Sequence, residues 1–294
     1  MRVGELAIKA FVEPDATLRE AAEAMLRNDA SGAVSVNEKG KLEFLITEDD
    51  IVRAVAKGED PDVVKAEDYA TPSPVTVKYD TEVTDALKIM KVYRVAHLPV
   101  VNGKVHGLVY IRSLVYAVAD HIPIGKATLE GLSRPLPKAK GLSVAEAAAE
   151  MISNETEAVL TSNGLLTPRG VVKAVARGDP FKDKADDYAT EKIIMTDEKT
   201  DILCAIQLMK NNSVDHLVVW KGRVVGIEDV GFKVPEVVRE FVRYIILVKG
   251  RTSFKRAIKT VGPYDAVIIA EGENELAEAV DQTEGEVLVL VERP

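Results

Sequence analysis

The stretch IVRAVAKG at residues 51–58 returns as VVKAVARG at residues 171–178, 120 positions later. Two further echoes keep almost the same spacing. AEDYAT at 66–71 matches ADDYAT at 185–190, and RVAHLPVVNGKVHG at 94–107 matches SVDHLVVWKGRVVG at 213–226, both at an offset of 119. Self-similarity at one spacing is the signature of a repeated structural unit. Roughly the first 230 residues are therefore a duplicated block.

Each block is itself double. Four amphipathic stretches recur: ATLREAAEAMLRND (16–29), TEVTDALKIMKVYRV (81–95), LSVAEAAAEMISNE (142–155) and TDILCAIQLMKNNSV (200–214). Each opens with Asp, Thr or Ser near its start, a helix N-cap signal. In each, apolar residues recur at the i, i+3, i+4, i+7 spacing of one helix face. Met25, Met90, Met151 and Met209 hold the corresponding place and read as core packing. After each helix come short strand-type runs such as GAVSV then LEFLI, or HLPVV then VHGLV, separated by glycine-containing turns. A second helix follows, as in EDDIVRAVAK, IRSLVYAVAD and PRGVVKAVAR. The unit reads lead strand, helix, strand, turn, strand, helix, giving an α/β fold.

This order, spacing and duplication resemble the CBS domain, named for cystathionine β-synthase. The resemblance covers residues 1 to about 230 as four units in two tandem (Bateman) modules, 1–122 and 123–232. It implies that paired units pack their sheets pseudo-symmetrically and leave clefts that hold an adenosyl ligand: AMP, ADP, ATP or S-adenosylmethionine. It also implies a Thr/Ser-x-x-Asp motif between the last strand and the final helix. The physical logic is independent of the family. A helix N-terminus presents free N–H groups and a positive dipole end to phosphate, and the carboxylate one turn along can accept from ribose hydroxyls.

The four copies differ. The first reads Thr47-Glu48-Asp49-Asp50, a full match. The second, Tyr110-Ile111-Arg112-Ser113, has lost both signature residues. The third, Thr167-Pro168-Arg169-Gly170, keeps the Thr. The fourth is shortened to Gly226-Ile227-Glu228-Asp229, with Gly231 and Pro235 expected to interrupt its helix. One intact site is therefore expected, with Thr47 and Asp50 also fitting a plain N-cap. By family pattern adenine lies against Ser31, Gly32 and Ala33, and the opposite wall is Thr71, Pro72, Ser73, Pro74 and Val75. A second, less complete set is Thr167 and Arg169 with Thr190 and Lys192. His97 and His216 either face phosphate or cap a helix-to-strand turn.

Residues 233–294 do not continue the repeat. Strands are expected at 242–250, 264–272 and 286–294, and helices at 253–261 and 274–282. This order resembles the small ferredoxin-like, ACT-related ligand-binding domain of Lrp/AsnC-type regulators, and implies a small α+β domain with a dimer contact. A basic cluster (Lys249, Arg251, Lys255, Arg256, Lys259) precedes an acidic one (Glu271, Glu273, Glu275, Glu278, Asp281).

Composition narrows the function. A net charge of −9 opposes a nucleic-acid-binding body. The single cysteine, Cys204, forms no internal disulfide, lies in the apolar run LCAIQLM and is expected in the core. No metal-ligand spacing, phosphate loop or nucleophile motif is present, so no enzyme, metal or required cofactor is expected. With no long apolar run and no leader-like start in MRVGELAIKAF, a cytoplasmic protein that avoids membranes is expected. Plentiful Glu, Lys and Arg with little Gln suggest a thermophile. The reading is a non-catalytic sensor of an adenosyl ligand, a homodimer that acts on a separate protein partner. Alternatives are a nucleotide-independent scaffold and a nucleic-acid-associated regulator that uses the tail.

Overall fold

A computed structural model describes residues 1–119 and 127–240, with side chains to 236, and the backbone of three further strands at 244–248, 266–270 and 287–291. The order helix, strand, strand, helix occurs four times. The first unit holds β1 (Phe11–Val12), α1 (Leu18–Arg27), β2 (Gly32–Val36), β3 (Leu42–Thr47) and α2 (Glu48–Ala56). The second holds β4 (Thr71–Pro72), β5 (Val77–Lys78), α3 (Val83–Tyr93), β6 (His97–Asn102), β7 (Lys104–Tyr110) and α4 (Ile111–Ala119). The third holds β8 (Arg134–Pro135), α5 (Val144–Ser153), β9 (Val159–Leu160), β10 (Leu165–Leu166) and α6 (Pro168–Arg177). The fourth opens with the short α7 (Ala185–Tyr188) and β11 (Met195–Thr196). It continues with α8 (Ile202–Asn212), β12 (His216–Val219), β13 (Arg223–Gly226) and α9 (Ile227–Glu240).

Local chemistry sets the helix starts. Thr17 and Ser143 each close a capping box with the Glu three residues on, and Asp201 accepts from the Leu203 N–H. Only α3 departs from the expected pattern: its cap is Glu82, which makes no side-chain cap bond. Each half is tied together by a reciprocal exchange of lead segments. β4, which leads into the second unit, pairs with β3 of the first, while Ile8 of the first bridges Leu108 in β7 of the second. In the other half β8 pairs with β13, and Thr190 bridges Leu165.

Helices join the halves. α1 packs on α6, and α2 packs on α5 and α6. On the other side α3 packs on α9, and α4 packs on α8 and α9. Two cores result. One buries residues of the first and third units, including Met25 and Met151. The other buries residues of the second and fourth, including Met90 and Met209. All four methionines are buried, as the periodicity requires.

Three expectations need correcting. α9 is not interrupted: it runs 14 residues through Gly231 and Pro235. Its apolar stripe of Ile227, Val230 and Val234 is buried against the second unit. Gly231 lets α9 come close to α4, since a Cβ there would lie 2.7 Å from the Ile111 side chain. Cys204 is half-buried on the flank of α8, not in the core. In the tail, β14 (Tyr244–Val248) lies between β15 (Ala266–Ala270) and β16 (Val287–Val291), and all three run parallel. Parallel neighbours need long crossovers. A ferredoxin-like sheet pairs its outer strands antiparallel, so these strands do not form one. The helices expected at 253–261 and 274–282 and both charge clusters lie outside the described residues.

Because each core is shared between halves, the two halves should unfold together. Leu114→Ala, a fully buried α4 position, should cost about 2–5 kcal/mol. Chemical denaturation should still show one transition for the body of four units. A second transition left at the wild-type position would count against the shared core.

Candidate functional site

The helix-on-helix packing brings four helix N-termini to one place. α2, α4, α6 and α9 each follow directly on the second strand of a unit, and the third residue of each motif copy lines one central cavity. These residues are Asp49, Arg112, Arg169 and Glu228. The cavity holds about 440 Å³, within the size range of small-molecule sites. Residues of all four units contribute to its wall, including Ser31, Glu48, His97, Tyr110, Glu157, Thr167, Lys173, Thr190, Lys192, Asp215 and His216.

The cavity is charged in a patterned way. α4 and α6 present arginines; α2 and α9 present acids. Each arginine reaches across to the other half. Arg169 donates to Glu48 Oε1 at 3.1 Å, to Asp29 Oδ1 at 2.7 Å and to the Ala30 carbonyl at 2.7 Å. Arg112 donates to Asp215 Oδ2 at 2.9 Å and lies over the Tyr110 ring. Lys192 donates to the Asn212 carbonyl at 2.6 Å.

Two equivalent pairs differ in kind. In the first half Ser31 Oγ and His97 Nε2 lie 2.8 Å apart, with the His97 ring stacked on Tyr110 at 4.7 Å. In the second half Glu157 stands where Ser31 does, and its Oε2 lies 3.3 Å from His216 Nε2. Burial with no acid beside it lowers His97 to about 3, so this imidazole is neutral. Burial also works against a charged His216, but the Glu157 hydrogen bond and charge outweigh it and raise that histidine. A Cβ at Gly226 would collide with the Glu157 carboxylate, so this glycine gives the pair its room.

The acids are under strain from burial. It pushes Glu48 up to about 7 against the pull of Arg169. It pushes Asp49 up to about 6, helped by the charges of Glu157 and Asp50. Glu228 is raised further by burial and by Glu157 and Asp49, against a hydrogen bond from Tyr110.

Of the expected site residues, Ser31, His97, Thr167, Arg169, Thr190 and Lys192 gather at this cavity. Thr47, Asp50 and Thr71–Val75 do not line it. Asp50 is 2% exposed. It accepts from the Thr47 N–H at 2.7 Å and the Thr47 hydroxyl at 2.9 Å, and it pairs with Arg53. That is a capping box. Thr71, Pro72 and Ser73 are exposed, beside β3. Gly32 and Ala33 are buried in β2, where a Cβ on Gly32 would lie 2.9 Å from the Ile46 carbonyl. Gly170 admits no larger residue, because a Cβ there would lie 2.8 Å from the Tyr188 carbonyl. Asp229, the fourth unit's counterpart of Asp50, is tied to Arg134 at 2.9 Å. The residues that sequence reasoning missed are chiefly Glu48, Asp49, Arg112, Glu157, Asp215 and Glu228. Asp49, Arg112 and Glu228 share the motif place of Arg169, and Asp215 directly precedes His216. Among the described residues no helix is long and apolar enough to cross a membrane, and no group of three or more acids, histidines or cysteines is placed to hold a metal ion.

The raised carboxyl of Glu48 has a consequence for stability. The folded state holds this proton more tightly than the unfolded chain, so its contribution falls as pH rises from about 4.5 to about 7. His97 acts oppositely between about 3 and 6.5. Glu48→Gln should therefore gain about 1–3 kcal/mol relative to wild type on going from pH 5 to pH 8. Urea melts of both proteins at both pH values measure this. An identical pH response would refute a buried, proton-binding Glu48.

Comparison with known proteins follows the same lines. The CBS domain family matches residues 3–57, 66–120 and 185–227, more than half of the chain. Residues 121–184, which hold α5 and α6, lie outside those matches. An uncharacterised 17.7 kDa protein of Acidianus ambivalens, from the bps2 3′ region, is 39% identical over 111 residues, 37% of this chain and 66% of that protein. An uncharacterised protein of Methanopyrus kandleri is 36% identical over 118 residues, 38% of this chain and 60% of that protein. The chain thus spans about two thirds or less of these curated relatives. Among solved structures, a Methanocaldococcus jannaschii protein proposed as an archaeal homologue of γ-AMPK has a TM-score of 0.63 at 18% identity, covering 79% of this chain and 99% of that one. At that identity the likeness is one of fold. With the segment matches, the strand exchange and the paired helices in agreement, the chain belongs to the CBS-domain family.

Proposed function

We propose that the chain is a non-catalytic regulatory protein of four CBS repeats, paired as residues 1–122 and 123–232, that senses an adenine nucleotide. One observation carries this reading: four helix N-termini, two arginines and two histidines face one cavity of nucleotide-compatible size. Helix N-termini favour phosphate through free N–H groups and the dipole. Ser31 lines the same cavity and leads into Gly32, which pairs with Thr47. A ligand with its phosphate inside can thus extend toward the motif, where Asp50 exchanges its Thr47 and Arg53 partners for ribose hydroxyls. Thr71–Val75 then forms the outer wall against adenine. The third unit enters this reading through its helix–strand–strand–helix order and its place opposite the first.

A second reading has its own observation. Thr47, Asp50, Arg112 and Arg169 are already bonded within the protein, and among the described residues no buried side-chain polar atom lacks a partner. That suits a nucleotide-independent scaffold.

Thermal melts and calorimetry with AMP, ADP, ATP and S-adenosylmethionine separate the two. A sensor at 100 times its dissociation constant should gain about 2.7 kcal/mol. Asp50→Asn should weaken binding roughly tenfold to a hundredfold. No shift and no heat with any of the four ligands would leave the scaffold reading.

A further inference from the structure

Resting on the nucleotide reading, a second feature concerns how the cavity is regulated. A cavity suited to phosphate is expected to hold its arginines free. Here both are occupied, each by an acid from the opposite half. Arg169, on α6, meets Glu48 at the start of α2; Arg112, on α4, meets Asp215 just before β12. Both acids line the cavity wall, so the carboxylates stand where an incoming anion would meet the guanidinium groups. We propose that Glu48 and Asp215 are tethered competitors for the anionic end of the ligand, which a phosphate displaces from Arg169 and Arg112, exchanging two ion pairs between the halves for contacts to the ligand.

The geometry supports an exchange over a fixed structural bridge. The Glu48 and Asp215 side chains are 15% and 28% exposed, so both sit at the cavity wall, where a ligand can replace them. Burial makes ionised Glu48 costly, which weakens it as a competitor. Arg169 would keep its bond to the Ala30 carbonyl and its rim contact with Asp29 after Glu48 leaves, and Arg112 would keep its place over Tyr110. The arginines therefore remain positioned while their inner partner changes. The arrangement sets a threshold for phosphate and links filling of the cavity to the junction between the halves.

The test is calorimetry with AMP, adenosine and inorganic pyrophosphate on wild type, Glu48→Gln and Asp215→Asn, with Asp85→Asn as a control. Asp85 is 56% exposed, pairs with Lys88 and lies outside the cavity wall, and such surface pairs contribute little. AMP should bind roughly tenfold more tightly to each of the first two variants. Adenosine should be indifferent to both, and the control should behave as wild type. AMP binding that is unchanged or weaker in both variants would overturn the competition and leave the nucleotide reading standing. Pyrophosphate that binds the variants more tightly, with no AMP or adenosine binding anywhere, would uphold the competition and overturn the nucleotide reading. No anion binding to any variant would overturn both. The two substitutions lie in different units, so failure of one variant to fold leaves the other to decide.

Discussion

The structure depends on the packing of the paired helices of one half against those of the other. Neither half offers a complete core alone. α2 has its apolar face against α5 and α6, and α4 has its face against α8 and α9. Because each of these second helices begins where its strand ends, closing the two shared cores also fixes where four helices start. The central cavity is thus a consequence of hydrophobic packing before it is a site. Its position follows from the stripes of Ala, Val, Leu, Ile and Met that each helix must bury.

Bringing four helix N-termini together creates an electrostatic problem, since each carries partial positive charge. The chain answers it unevenly. The first and fourth units place acids at the start of their helices, which compensates the dipole. The second and third place arginines there, which adds to it. The ion pair Arg169–Glu48 joins two such unlike ends across the boundary between halves, and Arg112 crosses the same boundary to Asp215, just before β12. The contrast between the Ser31–His97 pair and the Glu157–His216 pair repeats the asymmetry one layer out. The two equivalent pairs therefore differ in kind, and an anion entering the cavity meets unequal surroundings.

Much of this was legible in the residues. The offsets of 119 and 120, the methionine places and the caps at Thr17, Ser143 and Asp201 yield the unit and its order. What the sequence could not give is which helix faces meet across the halves, because an amphipathic stripe does not name its partner. Thr47 and Asp50 match a family motif, yet they bond to each other, while Arg169 and His97, held as secondary, face the cavity. The motif is defined by its outer positions, whereas its third position lines the cavity in all four copies. Pro235 misled in the other direction: its local cost is real, but the burial of Val230 and Val234 overrides it. In the tail, strand positions could be read but not their direction, since periodicity along a strand is the same in parallel and antiparallel sheets.

The central claim is that the converging helix starts form an anion site shared by both halves. Electron density from crystals grown with AMP tests it most directly. The account predicts a phosphate in the central cavity within hydrogen-bond distance of Arg169 or Arg112, with Glu48 or Asp215 turned away. AMP bound with its phosphate outside that cavity, both ion pairs intact, would contradict it.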